Sequence, residues 1–258
     1  MDFSIIINTH NQSKYLDECI KTCLNQNYSS YEIIIVDTSK RPSKNTYKNT
    51  KKLKYFHIKE KFKKFPVLNQ MHQIQYGFSK SKGKYICLLD GDDKFSNLKL
   101  NNLSKIFGQT KNKIVQDVPY LFSNTFKKKS KIKFYKNNIF FKKILVSWPQ
   151  IFGTSTISCS REILDKFFKK GKPFCWNYLA IDIKLILFAH TQFDLIALKK
   201  GLTMKRIHGN NLDKTFSNLI STSFWKRRKM QIEYNFFLKK KNDFNIDYIF
   251  TKIINLIL

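Results

Sequence analysis

The residues best suited to chemistry are three carboxylates, Asp90, Asp92 and Asp93, spaced around Gly91 and preceded by the apolar run Tyr85-Ile86-Cys87-Leu88-Leu89. The run has the length of a strand, so the carboxylates fall at its carboxyl end. Like charges this close raise one another's pKa unless a cation or a set of donors keeps them ionised. Mg2+ and Mn2+ favour such oxygen-rich sites, taking one or two protein carboxylates and leaving the other positions to water and substrate phosphates. The same residues also suit an Asp-Gly turn in a solvated loop.

A site at one strand end needs neighbouring strands. Phe3 to Asn8 is a β-branched apolar run leading into Thr9-His10-Asn11, and Tyr31 to Asp37 is a second run that ends on a carboxylate. Between them Ser13 offers an N-cap to a helix with Leu16, Cys19, Ile20, Cys23 and Leu24 on one face. A weak strand is expected over Leu53 to Ile58, and a helix over Val67 to Phe78 leads through Gly83 to the opening stretch. Strand, helix and strand make a parallel unit. In an open parallel sheet ligands bind outside the carboxyl ends of the strands, which here carry Thr9, Asp37 and Asp90.

Composition limits the alternatives. The 258 residues, 42% hydrophobic and 15% aromatic, suffice for one sizeable domain and exclude global disorder. The net charge of +30, nearly all lysine, favours polyanions: nucleic acid, anionic lipid headgroups or phosphate-bearing substrates. Five cysteines, odd in number and without a CxxC, point to reduced core thiols in a cytoplasmic protein. The start Met-Asp-Phe-Ser lacks a signal-peptide pattern, and no stretch approaches the ~18 uncharged apolar residues of a membrane span. A soluble catalytic part is expected.

The runs Ser4 to Asn11, Val36-Asp37, and Gly77 to Ile86 followed by Asp90-Gly91-Asp92-Asp93 resemble the nucleotide-binding half of family 2 glycosyltransferases. The similarity spans about residues 1 to 100 and extends more loosely to about 215. It implies the glycosyltransferase A fold, a Rossmann-like α/β architecture with a mixed, mostly parallel sheet flanked by helices. It further implies a nucleotide-sugar donor (UDP-, GDP- or dTDP-sugar), Mn2+ or Mg2+, and transfer with inversion. Thr9, Asn11 and Asp37 would lie at the base and ribose, Asp90 at the ribose or a metal water, Asp92 on the metal, and Asp93 near the donor sugar. The chain departs from the pattern at His10 (usually Tyr), at Thr38 (often acidic) and at Ile74-Gln75 (commonly Arg-Asn). These positions bear on donor identity.

Beyond the opening half, Leu98 to Phe107 has helical periodicity, and Lys127 to Lys143 interleaves lysines with aromatics. The latter is expected as a basic edge hairpin, single-stranded nucleic acid being the other use of such a pattern. Trp148 to Arg161 resembles the family's strand beneath the acceptor site, followed by a helix from Glu162 to Phe168. Trp148 and Trp176 suit either a sugar ring or the core.

By itself, Asp182 is a first-turn helix carboxylate favoured by the helix dipole. The resemblance places it where the family's general base follows another acid, here Ile181. Phe193 to Leu198 reads as a strand. Arg206-Ile207-His208-Gly209-Asn210-Asn211 resembles the family's Arg-x-His-x-x-Asn run, which implies a phosphate contact for Arg206 and a metal or diphosphate contact for His208.

The expected organisation is a catalytic domain over residues 1 to 213 (nucleotide-binding half 1 to 100, acceptor-binding half 101 to 213) and a basic helical extension over 214 to 258. The extension suits either an anionic membrane surface or packing on the domain. The function expected is inverting sugar transfer to a glycan or lipid-linked acceptor hydroxyl in cell-surface polysaccharide synthesis, in the cytoplasm or on the inner face of its membrane. The competing readings are a basic nucleic-acid-binding protein, which leaves Asp37 and the DxDD run without a role, and a nucleotide-sugar binder without transfer activity.

Overall fold

The computed structural model describes residues 1–43, 49–109, 113–131, 146, 148–209, 211, 216, 218, 220–240 and 245–258. β1 (Phe3–Thr9) is buried along its whole length. Its side chains alternate, with Phe3, Ile5 and Ile7 entering one core layer and Ile6 the other. α1 (Ser13–Leu24) covers the first layer through Leu16, Cys19, Ile20 and Cys23. Ser13 is the first residue of the helix and not its cap. Gln12 takes the N-cap without a side-chain bond to the helix, and its Oε1 accepts from the Thr9 hydroxyl at 3.4 Å.

β2 (Tyr31–Asp37) pairs in parallel with β1, from Phe3 opposite Tyr31 to Thr9 opposite Asp37. β3 (Leu53–His57) continues the sheet in parallel. α2 (Pro66–Lys80) starts with proline in its first turn, where the missing N–H costs nothing. Gly77 lets α2 press on the second face, since a Cβ there would lie 2.6 Å from Ile6 Cγ2 and 3.2 Å from Val36 Cγ2. β4 (Tyr85–Asp90) then pairs in parallel on the other side of β1.

The later elements are β5 (Lys94–Phe95), α3 (Lys99–Phe107), β6 (Lys113–Asp117), β7 (Tyr120–Phe122), β8 (Lys127–Lys129), a single 3-10 turn (Thr154–Thr156) and β9 (Ile157–Ser160). They continue with α4 (Arg161–Lys170), α5 (Ile181–Gln192), β10 (Asp194–Leu198), β11 (Thr203–Arg206), α6 (Thr222–Lys239) and α7 (Ile246–Ile257). The main sheet has the order β10-β6-β9-β4-β1-β2-β3. β9 alone opposes its neighbours β4 and β6, so the sheet is mixed and mostly parallel. A second sheet, β5-β11-β7-β8, joins β11 to the chain just after the DxDD run. The core layer on the α2 side also takes Ile163 and Phe167 from α4 and Ile181 and Leu185 from α5.

β6, β7 and β11 are short and carry polar residues, so periodicity alone does not mark them. The basic segment begins as the exposed edge strand β8, paired to β7, and its residues 132 to 143 lie outside the described residues. Trp148 and Trp176 pack with Leu179, Ile183, Leu187 and Tyr234, so core packing accounts for both. Cys19, Cys23, Cys87 and Cys159 are buried free thiols, whereas Cys175 is exposed. α6 lies against α5 through the buried Tyr234, whose hydroxyl donates to the Gly171 carbonyl at 3.1 Å. The helix starts at Thr222, capped by the Ser221 hydroxyl; Ile220 lies in the turn before it, and residues 214 and 219 are outside the described residues.

Candidate active site

β1, β2 and β4 end level with one another, so parallel pairing alone brings Thr9 opposite Asp37 and Asn8 opposite Asp90. Asn8 Nδ2 donates to Asp90 Oδ1 at 2.9 Å, and Gln70 Nε2 from the first turns of α2 donates to the same oxygen at 2.8 Å. The Asp90 N–H donates to Ser155 Oγ at 3.0 Å, while that hydroxyl donates to Asp93 Oδ2 at 2.6 Å. Gly91 is required by space: a Cβ would stand 2.7 Å from Thr9 Oγ1 and 2.8 Å from Thr9 Cβ.

The second sheet supplies the other wall. The Arg206 N–H donates to Asp93 Oδ1 at 2.8 Å, and Arg206 Nε donates to the Asp92 carbonyl at 3.0 Å. Its guanidinium pairs with Glu18 of α1 and lies 4.5 Å from the ring centroids of both Tyr15 and Phe122. In this arrangement Arg206 braces the Asp92-Asp93 turn. His208 Nε2 lies 2.7 Å from Asp92 Oδ2, and its ring stacks on Tyr15 at 5.3 Å. Asn211 supports this loop, accepting from the His208 N–H at 2.6 Å and donating to the Arg206 carbonyl at 3.1 Å.

The electrostatics follow from the enclosure. Burial, and then the nearby Asp92, push the Asp90 carboxyl from 3.8 up to about 7, against the donors Asn8 and Gln70. Asp93 is raised too, by burial and then by Asp92 and Asp90. Two carboxyls held above their ordinary range beside a third are an environment that a cation would relieve. Among the described residues no three His, Cys, Asp or Glu side chains already converge as a complete metal site. The donor set of carboxylates and one imidazole nevertheless fits Mn2+ or Mg2+, for which most remaining ligands come from substrate and water. Asn8 Oδ1, on the side chain that donates to Asp90, is buried and has no hydrogen-bond partner, so an unused oxygen acceptor remains beside that carboxylate.

The end of β2 and the loop after it are tightly wired. Asp37 accepts from the Ser39 N–H at 2.7 Å and from the Tyr55 hydroxyl at 2.7 Å; burial and then this bond raise the Tyr55 phenol. Thr38, where the family pattern often has an acid, gathers Asn69 Nδ2 at 2.8 Å, Gln73 Nε2 at 2.9 Å and His10 Nδ1 at 3.1 Å on its hydroxyl. Asn11 adopts a left-handed conformation (φ 55°), its N–H donating to Ser39 Oγ at 2.7 Å. It clasps the loops after β1 and β2. Asp182 stands in the first turn of α5, partly exposed, with Oδ1 accepting from the Ile183 N–H at 2.8 Å. Ile181 beside it packs in the core layer of Met71 and Ile74 of α2, so the start of α5 lies on the α2 side of the sheet.

Beneath the carboxylates lies a charge pair that the sequence does not announce. The fully buried Lys99 Nζ donates to Asp117 Oδ1 at 2.8 Å, to the Ser155 carbonyl at 3.0 Å and to Thr203 Oγ1 at 2.7 Å. It ties α3, β6, β11 and the 3-10 turn into one unit. Ser155 is the bridge from that unit to Asp90 and Asp93.

The parallel strand ends, the acidic turn and the segment from Arg206 at the end of β11 to His208 in the following loop therefore meet in one place. The model of "Glycosyl transferase family 2" matches residues 4–172. The chain belongs to glycosyl transferase family 2. Its curated relatives include an uncharacterized glycosyltransferase of Haemophilus influenzae, 33% identical over 104 residues, covering 38% of this chain and 38% of that protein. Another is the GalNAc(5)-diNAcBac-PP-undecaprenol beta-1,3-glucosyltransferase of Campylobacter jejuni, 29% identical over 105 residues, covering 39% of this chain and 32% of that protein. Such matches span 16% to 38% of the relatives' own lengths.

Among solved structures, S. aureus TarS 1-349 in complex with UDP-GlcNAc superposes with a TM-score of 0.63 at 15% identity, covering 99% of this chain and 70% of that one. The mannosyltransferase PcManGT from Pyrobaculum calidifontis, in complex with GDP-Man and Mn2+, gives 0.53 at 14% identity, covering 98% and 67%. The fold is that of the glycosyltransferase A enzymes. No helix among the described residues is long and apolar enough to cross a membrane.

Proposed function

We propose that this glycosyltransferase binds a nucleotide-sugar and transfers the sugar with inversion to an acceptor hydroxyl. The observation that carries the reading is the convergence of Asp90, Asp92 and Asp93 with Arg206 and His208 at the end of β4. The TarS and PcManGT complexes hold UDP-GlcNAc and GDP-Man with Mn2+, which supports a donor of this class here. Asp92 and His208, with Asp90, would hold Mn2+ or Mg2+. When bound, the ion neutralises charge on the departing nucleoside diphosphate.

The chain's own residues divide the remaining work. Thr9, Asn11 and Asp37 border the nucleoside side of the crevice, and Asp93 fixes the wall through the Arg206 N–H and Ser155. Arg206 keeps the turn in place and lends positive charge beside the diphosphate. Asp182 is the base that takes the acceptor proton, becoming competent as the hydroxyl acidifies on bonding to the anomeric carbon. The domain reading is a catalytic unit over 1–213 with 214–258 as its extension. A lipid-linked or cell-surface glycan is the proposed acceptor, supported by the undecaprenol-linked substrate in the name of the Campylobacter relative.

Calorimetric titration of UDP, GDP and dTDP, each with and without Mn2+, into the wild type and Asp92→Ala tests the reading. Binding of one nucleotide that requires both the metal and Asp92 supports it and names the donor class. If no nucleotide binds to folded protein, the nucleotide-sugar reading fails, and salt-dependent nucleic-acid binding becomes the test of the +30 charge.

A further inference from the structure

α7 is an inverted amphipathic helix. Its polar side chains face the protein: Asp247 and Thr251 are buried, Asp247 accepts two bonds from Arg228 Nη2 at 2.7 and 2.8 Å, and Asn255 Nδ2 donates to the Trp225 carbonyl at 3.0 Å. The Tyr248 hydroxyl reaches Glu233 at 3.1 Å. The opposite face is apolar and faces outward, with Ile246, Phe250, Ile253 and Ile257 at helical spacing and Leu256 beside them, each at least half exposed.

A surface helix ordinarily turns its apolar stripe to the core and its polar face to water. Here the polar face satisfies α6, so the outward stripe is a contiguous apolar patch that calls for an apolar occupant. The charge around it selects the occupant. α6 and α7 carry six basic residues, Lys226, Arg227, Arg228, Lys229, Lys239 and Lys252, against two acids. Both acids are paired within the helices, Asp247 with Arg228 and Glu233 with Lys229. Lys252 is therefore the one ionic side chain on the outer side of α7, and Lys239 and Lys240 lie exposed at the end of α6 that precedes it. A second copy would bring another +30 against this surface. An anionic bilayer complements both features, taking the stripe into the headgroup and acyl boundary while the lysines meet acidic lipids.

We propose that the outer face of α7 docks this glycosyltransferase on an anionic membrane surface, lying in the interface without spanning it. The inference rests on α7 and its surroundings and not on sugar transfer, so its test stands whichever way the nucleotide titration falls.

The experiment is co-sedimentation of the full chain with phosphatidylcholine vesicles and with vesicles that also contain phosphatidylglycerol. The wild type is expected to partition onto the phosphatidylglycerol vesicles and to be released by salt, as surface electrostatics requires. Phe250→Glu/Ile253→Glu should weaken partitioning by roughly tenfold or more, and Lys252→Glu severalfold. Circular dichroism should show both variants folded, because the replaced side chains are exposed. A conservative variant, Ile253→Trp, gives an independent reading: its fluorescence should be quenched by lipids brominated in the acyl chains. Wild-type binding to neither vesicle, equal binding by the double variant, or absence of quenching would each overturn the proposal. So would a wild-type dimer that the double variant dissociates without any vesicle binding, which would assign the face to a second copy.

Discussion

His208 Nε2 rests 2.7 Å from Asp92 Oδ2, joining a loop after β11 to the central carboxylate of the acidic turn across 116 residues of chain. Tyr15 of α1 stacks under the imidazole, so three separate segments fix one pair. A histidine placed in this way can give up its hydrogen bond and turn a nitrogen to a cation held by the same carboxylate. The prediction is that His208→Ala lowers Mn2+ affinity by about 10- to 100-fold while leaving the fold intact. Titration of Mn2+ in the presence of the bound nucleoside diphosphate, followed by calorimetry, measures it; unchanged affinity would remove His208 from the metal site.

Asp90 sets a pH dependence. Its folded pKa is raised from 3.8 to about 7, so between those values the folded state holds a proton that the unfolded chain has released. Stability from this group is complete below pH 3.8 and is lost as pH rises through about 7. The metal-free protein should therefore lose melting temperature from pH 5 to pH 7.5, and Asp90→Asn should flatten that slope. The opposite sign applies to cation binding, because the metal must displace the proton. Mn2+ affinity should climb over the same interval, with proton release seen as a buffer-dependent calorimetric enthalpy.

Much of this was legible in the chain and some was not, for a physical reason. Thr9, Asp37 and Asp90 terminate apolar strands, so local pattern alone puts them at one edge of a parallel sheet. Asp92, Asp93 and Gly91 follow directly, and the Gly91 requirement is steric. By contrast Gln70, Ser155, Glu18, Lys99 and Asp117 are polar residues of types that normally face water. Their places around the site are fixed by partners 18 to 188 positions away, which no local window contains. The strands β6 and β11 are hidden on the same ground, since their buried Asp117 and Thr203 find a partner in Lys99 of α3.

That Lys99 pair yields a stability prediction. Lys99→Met would leave the Asp117 carboxylate buried with only the Leu202 N–H and the Thr203 hydroxyl as donors, and breaking one side of a buried pair costs about 3–5 kcal/mol. Urea unfolding should report a loss of that order. Adding Asp117→Asn should restore part of it by removing the stranded charge, and nucleotide binding should follow the fold. A cost for Lys99→Met below about 1 kcal/mol would place the pair in the class of weak surface bridges and contradict its enclosure.

The roles proposed for Asp182 and Asp92 can be told apart by experiment. If Asp182 is the base, it acts on the acceptor proton and contributes little to holding the donor, so Asp182→Asn should leave nucleotide affinity within about twofold while transfer falls by 10²- to 10⁴-fold. Asp92→Ala should do the reverse first, removing metal-dependent binding. The assay starts from donor hydrolysis by the wild type with the nucleotide that calorimetry selects, since water can replace an unknown acceptor. Hydrolysis that vanishes in Asp182→Asn with binding intact supports the base. Hydrolysis unchanged in the variant would move that role to another group, and a wild type that binds donor but never turns it over would favour a nucleotide-sugar-binding protein. Ile181, standing where relatives of this pattern carry a second acid, makes that comparison informative: an active wild type would establish that one carboxylate at the start of α5 is enough.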